Sequence, residues 1–120
     1  MYKRQVLIGV HTDPDEAVEE MEALVDVHAA VERRYNTDNI LILGDLNADC
    51  RYASGRARAG LTLRTDPRFT WLIGDEVDTT TTNSDCTYDR CEFSLITSSS
   101  RPNYTVHTCC VCKYKISSFC

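Results

Sequence analysis

Long apolar runs are missing from this chain of 120 residues. The first, Val6 to Val10, spans five residues, too few to cross a bilayer. It is also too short for the core of a secretory signal peptide, although Met1-Tyr2-Lys3-Arg4 ahead of it is basic. No membrane partner is therefore expected. An excess of basic residues is missing too, with 13 Lys and Arg against 18 Asp and Glu, a net charge of −5. Proteins that bind nucleic acid mainly by neutralising phosphates are usually basic, so approach to a polyanion would need a divalent cation in between. Zinc-finger spacing is absent as well. Cys109, Cys110 and Cys112 crowd near His107, but no second Cys or His pair follows, and we read the cluster as chance.

What is present is most informative at Gly44-Asp45-Leu46-Asn47-Ala48-Asp49-Cys50. The apolar run Ile40-Leu41-Ile42-Leu43 before it reads as a buried strand ended by a glycine turn. Asp45 and Asn47 stand two residues apart, and in extended backbone that spacing points both side chains the same way. A carboxylate and a carboxamide aimed together from a strand's C-terminal edge can hold a metal ion and a phosphate oxygen.

Thr12 to Tyr35 reads as one helix. Asp13 suits its N-cap, Pro14 its first position, and Glu16 completes an Asp-x-x-Glu capping box. Val18, Met21, Leu24, Val25, His28, Val31 and Tyr35 make an apolar stripe to face a sheet. Glu16, Glu19, Glu20, Glu22 and Asp26 read as a solvated face, and His28 as a packed histidine with no ligand role. Strand, helix and strand compose a βαβ-like unit, with antiparallel pairing left open. Arg51 to Gly60, carrying Arg51, Arg56 and Arg58, reads as a surface loop. Phe69 to Ile73 reads as a short strand, and Asp75 to Asp85 as a polar loop.

Five markers in this order resemble the DNase I family. They are Val6-Leu7-Ile8-Gly9-Val10-His11-Thr12, Gly44 to Cys50, Trp71-Leu72-Ile73, Asp78-Thr79-Thr80, and Cys86-Thr87-Tyr88-Asp89-Arg90. Leu63-Arg64-Thr65-Asp66-Pro67-Arg68-Phe69 with Trp71 to Asp75 looks most like the DNase gamma type. The resemblance implies an α/β fold, the four-layer sandwich of two packed mixed sheets flanked by helices, with about half of it here. It also implies a secreted endodeoxyribonuclease that hydrolyses DNA to 5′-phosphate ends with Mg2+ and Ca2+. By that resemblance His11 serves acid–base chemistry, Asp45 binds Mg2+ or orients water, Asn47 holds the scissile phosphate, and Asp89 orients a second histidine. Asp78 and Thr80 match a calcium loop, and Cys50 and Cys86 a structural disulfide. Without the resemblance, His11 would be an ordinary polar strand end, the threonine run a flexible loop, and the two cysteines reduced thiols.

The resemblance covers Val6 to Arg90, which we take as a partial catalytic domain, residues 1–90. The family's acid-pairing glutamate and its Ser-Asp-His segment have no counterpart here, so the chain reads as a truncated product, inactive alone. Composition changes at Cys91. Residues 91–120 hold five of the seven cysteines and reverse the charge to net positive, so they read as a divergent tail outside the family fold. Asn103-Tyr104-Thr105 within it is a glycosylation sequon. Two other readings stand beside this one: another phosphoesterase of the same superfamily, and a non-catalytic fragment that binds a partner or DNA.

Overall fold

The structure, a computed structural model, describes residues 5–94. The cysteine cluster, the sequon and the tail beyond Ser94 lie outside the described residues. Strands β1 (Val6–His11) and β2 (Ile40–Asp45) run parallel and are joined by helix α1 (Ala17–Tyr35). Helices α2 (Gly55–Gly60) and α3 (Thr62–Thr65) lead to β3 (Phe69–Trp71), and β4 (Asp89–Ser94) closes the described chain. β4 lies antiparallel between β2 and β3, so the mixed sheet has the order β1-β2-β4-β3. The open pairing of the βαβ-like unit is thereby resolved as parallel.

Side-chain alternation divides the sheet into two faces. Ile8, Val10, Ile42 and Trp71 pack toward Ala17, Met21 and Leu24 of α1 and toward Leu61 and Leu63. Met21, Ile42, Leu46, Leu61 and Leu63 are fully buried, and each such side chain contributes about 1.5–3 kcal/mol. On the opposite face Leu7 is 61% exposed.

The helix begins later than the pattern suggests. Thr12 still donates its amide to the Asp45 carbonyl at 3.0 Å, so it extends the strand ladder. Asp13 caps a short 3-10 turn, Pro14–Glu16, by accepting from the Asp15 amide, and the α-helix starts at Ala17. Glu20, not Glu16, receives the Asp13 amide at 3.2 Å. Asn36, at φ +47°, ends the helix in the left-handed conformation that asparagine tolerates. Of the stripe, Met21, Leu24 and His28 are buried, with Ala17 beside them, but Tyr35 is exposed. Glu22 is not merely solvated. Its carboxylate accepts from the amide and the hydroxyl of Thr62 and so fastens α3 to α1.

One further expectation needs correction. The stretch read as a loop contains α2, because Ser54 caps it by accepting from the Ala57 amide at 3.2 Å. β4 runs past the composition change at Cys91 to Ser94, with Cys91, Glu92 and Ser94 buried. Backbone pairing to Ile40–Asp45 and Phe69–Trp71 does not require apolar side chains, so a composition break need not end a sheet.

Candidate active site

His11, Asp45 and Asp89 occupy the last paired rung of three neighbouring strands. His11 pairs with Asp45 across β1 and β2, and Asp45 pairs with Asp89 across β2 and β4. Adjacent strands lie about 4.8 Å apart, so the three side chains form a row on the face away from α1. His11 Nε2 stands 3.8 Å from Asp45 Oδ2, and the two side chains are 77% and 41% exposed. His11 and Asp45 are therefore open to solvent among the described residues.

Asn47 joins the row by a different route from the one its spacing suggests. β2 ends at Asp45, and Asn47 lies in a tight turn at φ +45°. Asp45 Oδ1 accepts the Asn47 amide at 3.0 Å. The buried Asn47 carboxamide donates to the Thr12 carbonyl at 3.0 Å and contacts the Thr12 hydroxyl at 3.3 Å, which ties the turn to the end of β1. Gly44 makes this close approach feasible. It adopts φ +141°, and a Cβ there would collide with the Val10 carbonyl.

The turn is held from the other side by residues 86–90. Tyr88 O accepts from the amides of Leu46 and Ala48. Asp49 Oδ2 accepts from the Thr87 amide at 2.8 Å, and the Cys50–Cys86 disulfide forms with a Cα separation of 5.9 Å. Burial pulls Asp49 upward, but the Thr87 and Cys50 amides and the charges of Arg58 and Arg90 outweigh it and hold its pKa below the ordinary value.

Asp89 behaves in the opposite sense. Burial, and then the neighbouring charge of Asp45, push its pKa above the ordinary value, against a hydrogen bond from Thr79 and the charge of His11. Asp78 and Thr80 sit in the loop before β4 and contact each other. Asp78 Oδ1 accepts from the Thr80 amide at 2.9 Å and from its hydroxyl at 2.6 Å. Among the described residues no group of three or more His, Cys, Asp or Glu side chains is arranged to hold a metal. His28 takes no part in the row. It is buried on the covered face, with Nε2 2.6 Å from Ser94 Oγ.

Residues 2–103 match the family model described as "Endonuclease/Exonuclease/phosphatase family". The chain belongs to that family. Within it, the similarity falls on deoxyribonucleases. Deoxyribonuclease-1-like 2 of Mus musculus is 49% identical over 88 residues, 73% of this chain and 32% of that protein. Deoxyribonuclease gamma of Homo sapiens is 46% identical over 86 residues, 71% of this chain and 28% of that protein. Deoxyribonuclease-1 of Bos taurus is 38% identical over 88 residues, 73% of this chain and 31% of that protein. The chain thus spans about a third of the length of these relatives, and the DNase I family resemblance holds. The gamma type and the 1-like 2 type are matched about equally, so this segment does not separate them. The described sheet and its helices are part of the DNase I-like α/β fold.

Four residues at this family site escaped the sequence reading. Thr12 anchors Asn47, and Thr79 Oγ1 accepts the Asp89 amide at 3.1 Å. Arg90 and Asp75 form a buried-to-surface ion pair at 2.9 Å beneath the turn. Only Arg90 left a signal, as an arginine inside a segment that has to enter a sheet.

Proposed function

We propose that these residues form one side of a metal-dependent endodeoxyribonuclease site, which hydrolyses DNA phosphodiester bonds and leaves 5′-phosphate ends. The observation that carries this reading is the row His11, Asp45 and Asp89 on one rung of three neighbouring strands, with Asn47 beside it. The names of the relatives, all deoxyribonucleases, supply the substrate class.

Hydrolysis needs a water to attack phosphorus, a means of offsetting charge, and a proton for the leaving 3′-oxygen. His11, beside the Asp45 carboxylate, is placed to exchange that proton. Asn47, its carboxamide anchored on Thr12, would hold the scissile phosphate. Asp89 orients a second histidine, which is not in the row among the described residues. Nucleases of this family generally need a divalent metal. Asp45 and Asp89 on paired rungs, the charge of one raising the proton affinity of the other, form a hard-oxygen set that suits Mg2+ at Asp45. Bound there, the ion would offset phosphate charge. Asp78 and Thr80 offer Ca2+ a second set of oxygens. The Cys50–Cys86 disulfide supports a secreted protein, since such bonds persist in oxidising compartments.

One histidine cannot act as both base and acid in a single displacement, so the 120-residue chain alone is expected to cleave DNA little or not at all. The test is a chimera. Deoxyribonuclease gamma carrying the matched 86-residue segment of this chain should nick plasmid DNA in magnesium and calcium, and His11→Ala should abolish it. A folded but inert chimera refutes the nuclease reading. Nicking by the 120-residue chain itself, lost in His11→Ala, refutes only its insufficiency.

A further inference from the structure

We infer that Arg90 is a positioning residue whose buried guanidinium sets the turn carrying Asn47. The inference rests on the nuclease reading and adds a residue to it. Asp89 and Arg90 are consecutive in β4 and so project to opposite faces of the sheet. Asp89 joins the open row, while Arg90 is fully buried on the covered face, paired with Gly44, which puts no side chain there.

The guanidinium fork makes three directed contacts. Nη2 donates to the Ala48 carbonyl at 2.9 Å, Nη1 donates to the Ile73 carbonyl at 2.9 Å, and Nη2 pairs with Asp75 Oδ1 at 2.9 Å. Its plane is held by Trp71, whose ring centre lies 4.9 Å from the Arg90 guanidinium carbon and 4.8 Å from that of Arg64. Arg64 closes the frame by pairing with Asp75 at 2.8 Å. Burial raises the pKa of Asp75, but the Arg64 hydrogen bond and the charges of Arg90, Arg64 and Arg58 override it, so the carboxylate stays ionised.

Ala48 directly follows Asn47, which holds a left-handed φ of +45°. Thr12 grips that turn at the Asn47 side chain, and Arg90 grips it at the next carbonyl. Burying a guanidinium is costly before its partners are counted, and an apolar residue would fill the same space without that cost. What an apolar residue lacks is the planar fork that fixes two carbonyls from different loops at once. Lysine lacks it too.

The test uses the full 120-residue chain, labelled with nitrogen-15, with inorganic phosphate as the probe in the presence of Mg2+. The Asn47 side-chain resonance reports the site, and the amides of Val6–His11 and Ile40–Asp45 report the sheet. In the unaltered chain the Asn47 signal should shift saturably with phosphate. Arg90→Lys and Arg90→Met should weaken that binding by at least about tenfold while the sheet amides keep their positions. Asp75→Asn removes the charge partner but leaves both carbonyl bonds of Arg90, so it should bind phosphate within about threefold of the unaltered chain. If Arg90→Met does not fold, Arg90→Lys against Asp75→Asn decides. Equal binding by those two overturns the positioning role. No phosphate-dependent shift at Asn47 in the unaltered chain overturns the positioning role, while the nuclease reading stands or falls on the chimera.

Discussion

Asp45 and Asp89 face each other on the last rung of the β2–β4 ladder, and the charge of Asp45 raises the pKa of Asp89. Burial is the larger cause and Asp45 the second. Replacing Asp45 by Asn should therefore lower the titration midpoint of Asp89 without returning it to the ordinary value. Carbon-13 titration of the Asp89 carboxyl measures this directly. An unmoved midpoint would mean that the two carboxylates do not share a site.

Glu92 gives the chain an unusual dependence on pH. It is fully buried on the covered face of β4, and neither carboxylate oxygen has a hydrogen-bond partner among the described residues. Burial pushes its pKa up to about 8, against the charge of Arg90. The folded form therefore holds a proton that the unfolded form releases near the ordinary value of 4.5. Stability from this group is present below pH 4.5 and is lost as pH rises toward 8, by on the order of 5 kcal/mol. Urea midpoints should fall across that window and flatten in Glu92→Gln. Parallel curves for the two proteins would place Glu92 in contact with water.

His28 acts in the reverse direction. Burial lowers its pKa below 6.5, opposed by Glu32 and Asp66 and reinforced by Arg68. Because the unfolded form takes up the proton first, stability is complete above pH 6.5 and declines as pH falls below it. His28→Gln, which keeps a donor for Ser94, should remove that acidic limb. An unchanged limb would assign it to the carboxylates.

Cys50 and Cys86 enclose a separation of 36 residues. Opening that loop should cost about 4 kcal/mol in the chain-entropy account. It should also release the turn that holds Asn47, because the loop carrying Cys50 is tied to the segment leading into Asp89. Reduction, or Cys50→Ser with Cys86→Ser, is expected to lower the urea midpoint and broaden the Asn47 side-chain resonance. A lowered midpoint with a sharp Asn47 signal would limit the bond to global stability.

Local chemistry made much of this protein legible in advance. The apolar runs at Val6 and Ile40, the apolar stripe and the Asp13-Pro14 start mark β1, β2 and α1 because each depends on neighbours within about one turn or two rungs. The markers containing His11, Asp45, Asn47 and Asp89 could be read in order, and the resemblance paired Cys50 with Cys86, as the fold does. Where local signals compete, the reading failed. Arg51 to Gly60 looked like a loop until Ser54 proved to cap a helix, and Thr12 was drawn into the strand by Asp45.

The tertiary structure alone decided register. That His11, Asp45 and Asp89 share one rung, that Arg90 lies behind Asp89 on the other face, and that β4 passes through the composition break at Cys91 all follow from pairing between distant segments. Backbone hydrogen bonds carry that pairing, and they are indifferent to the side-chain composition from which a sequence is read.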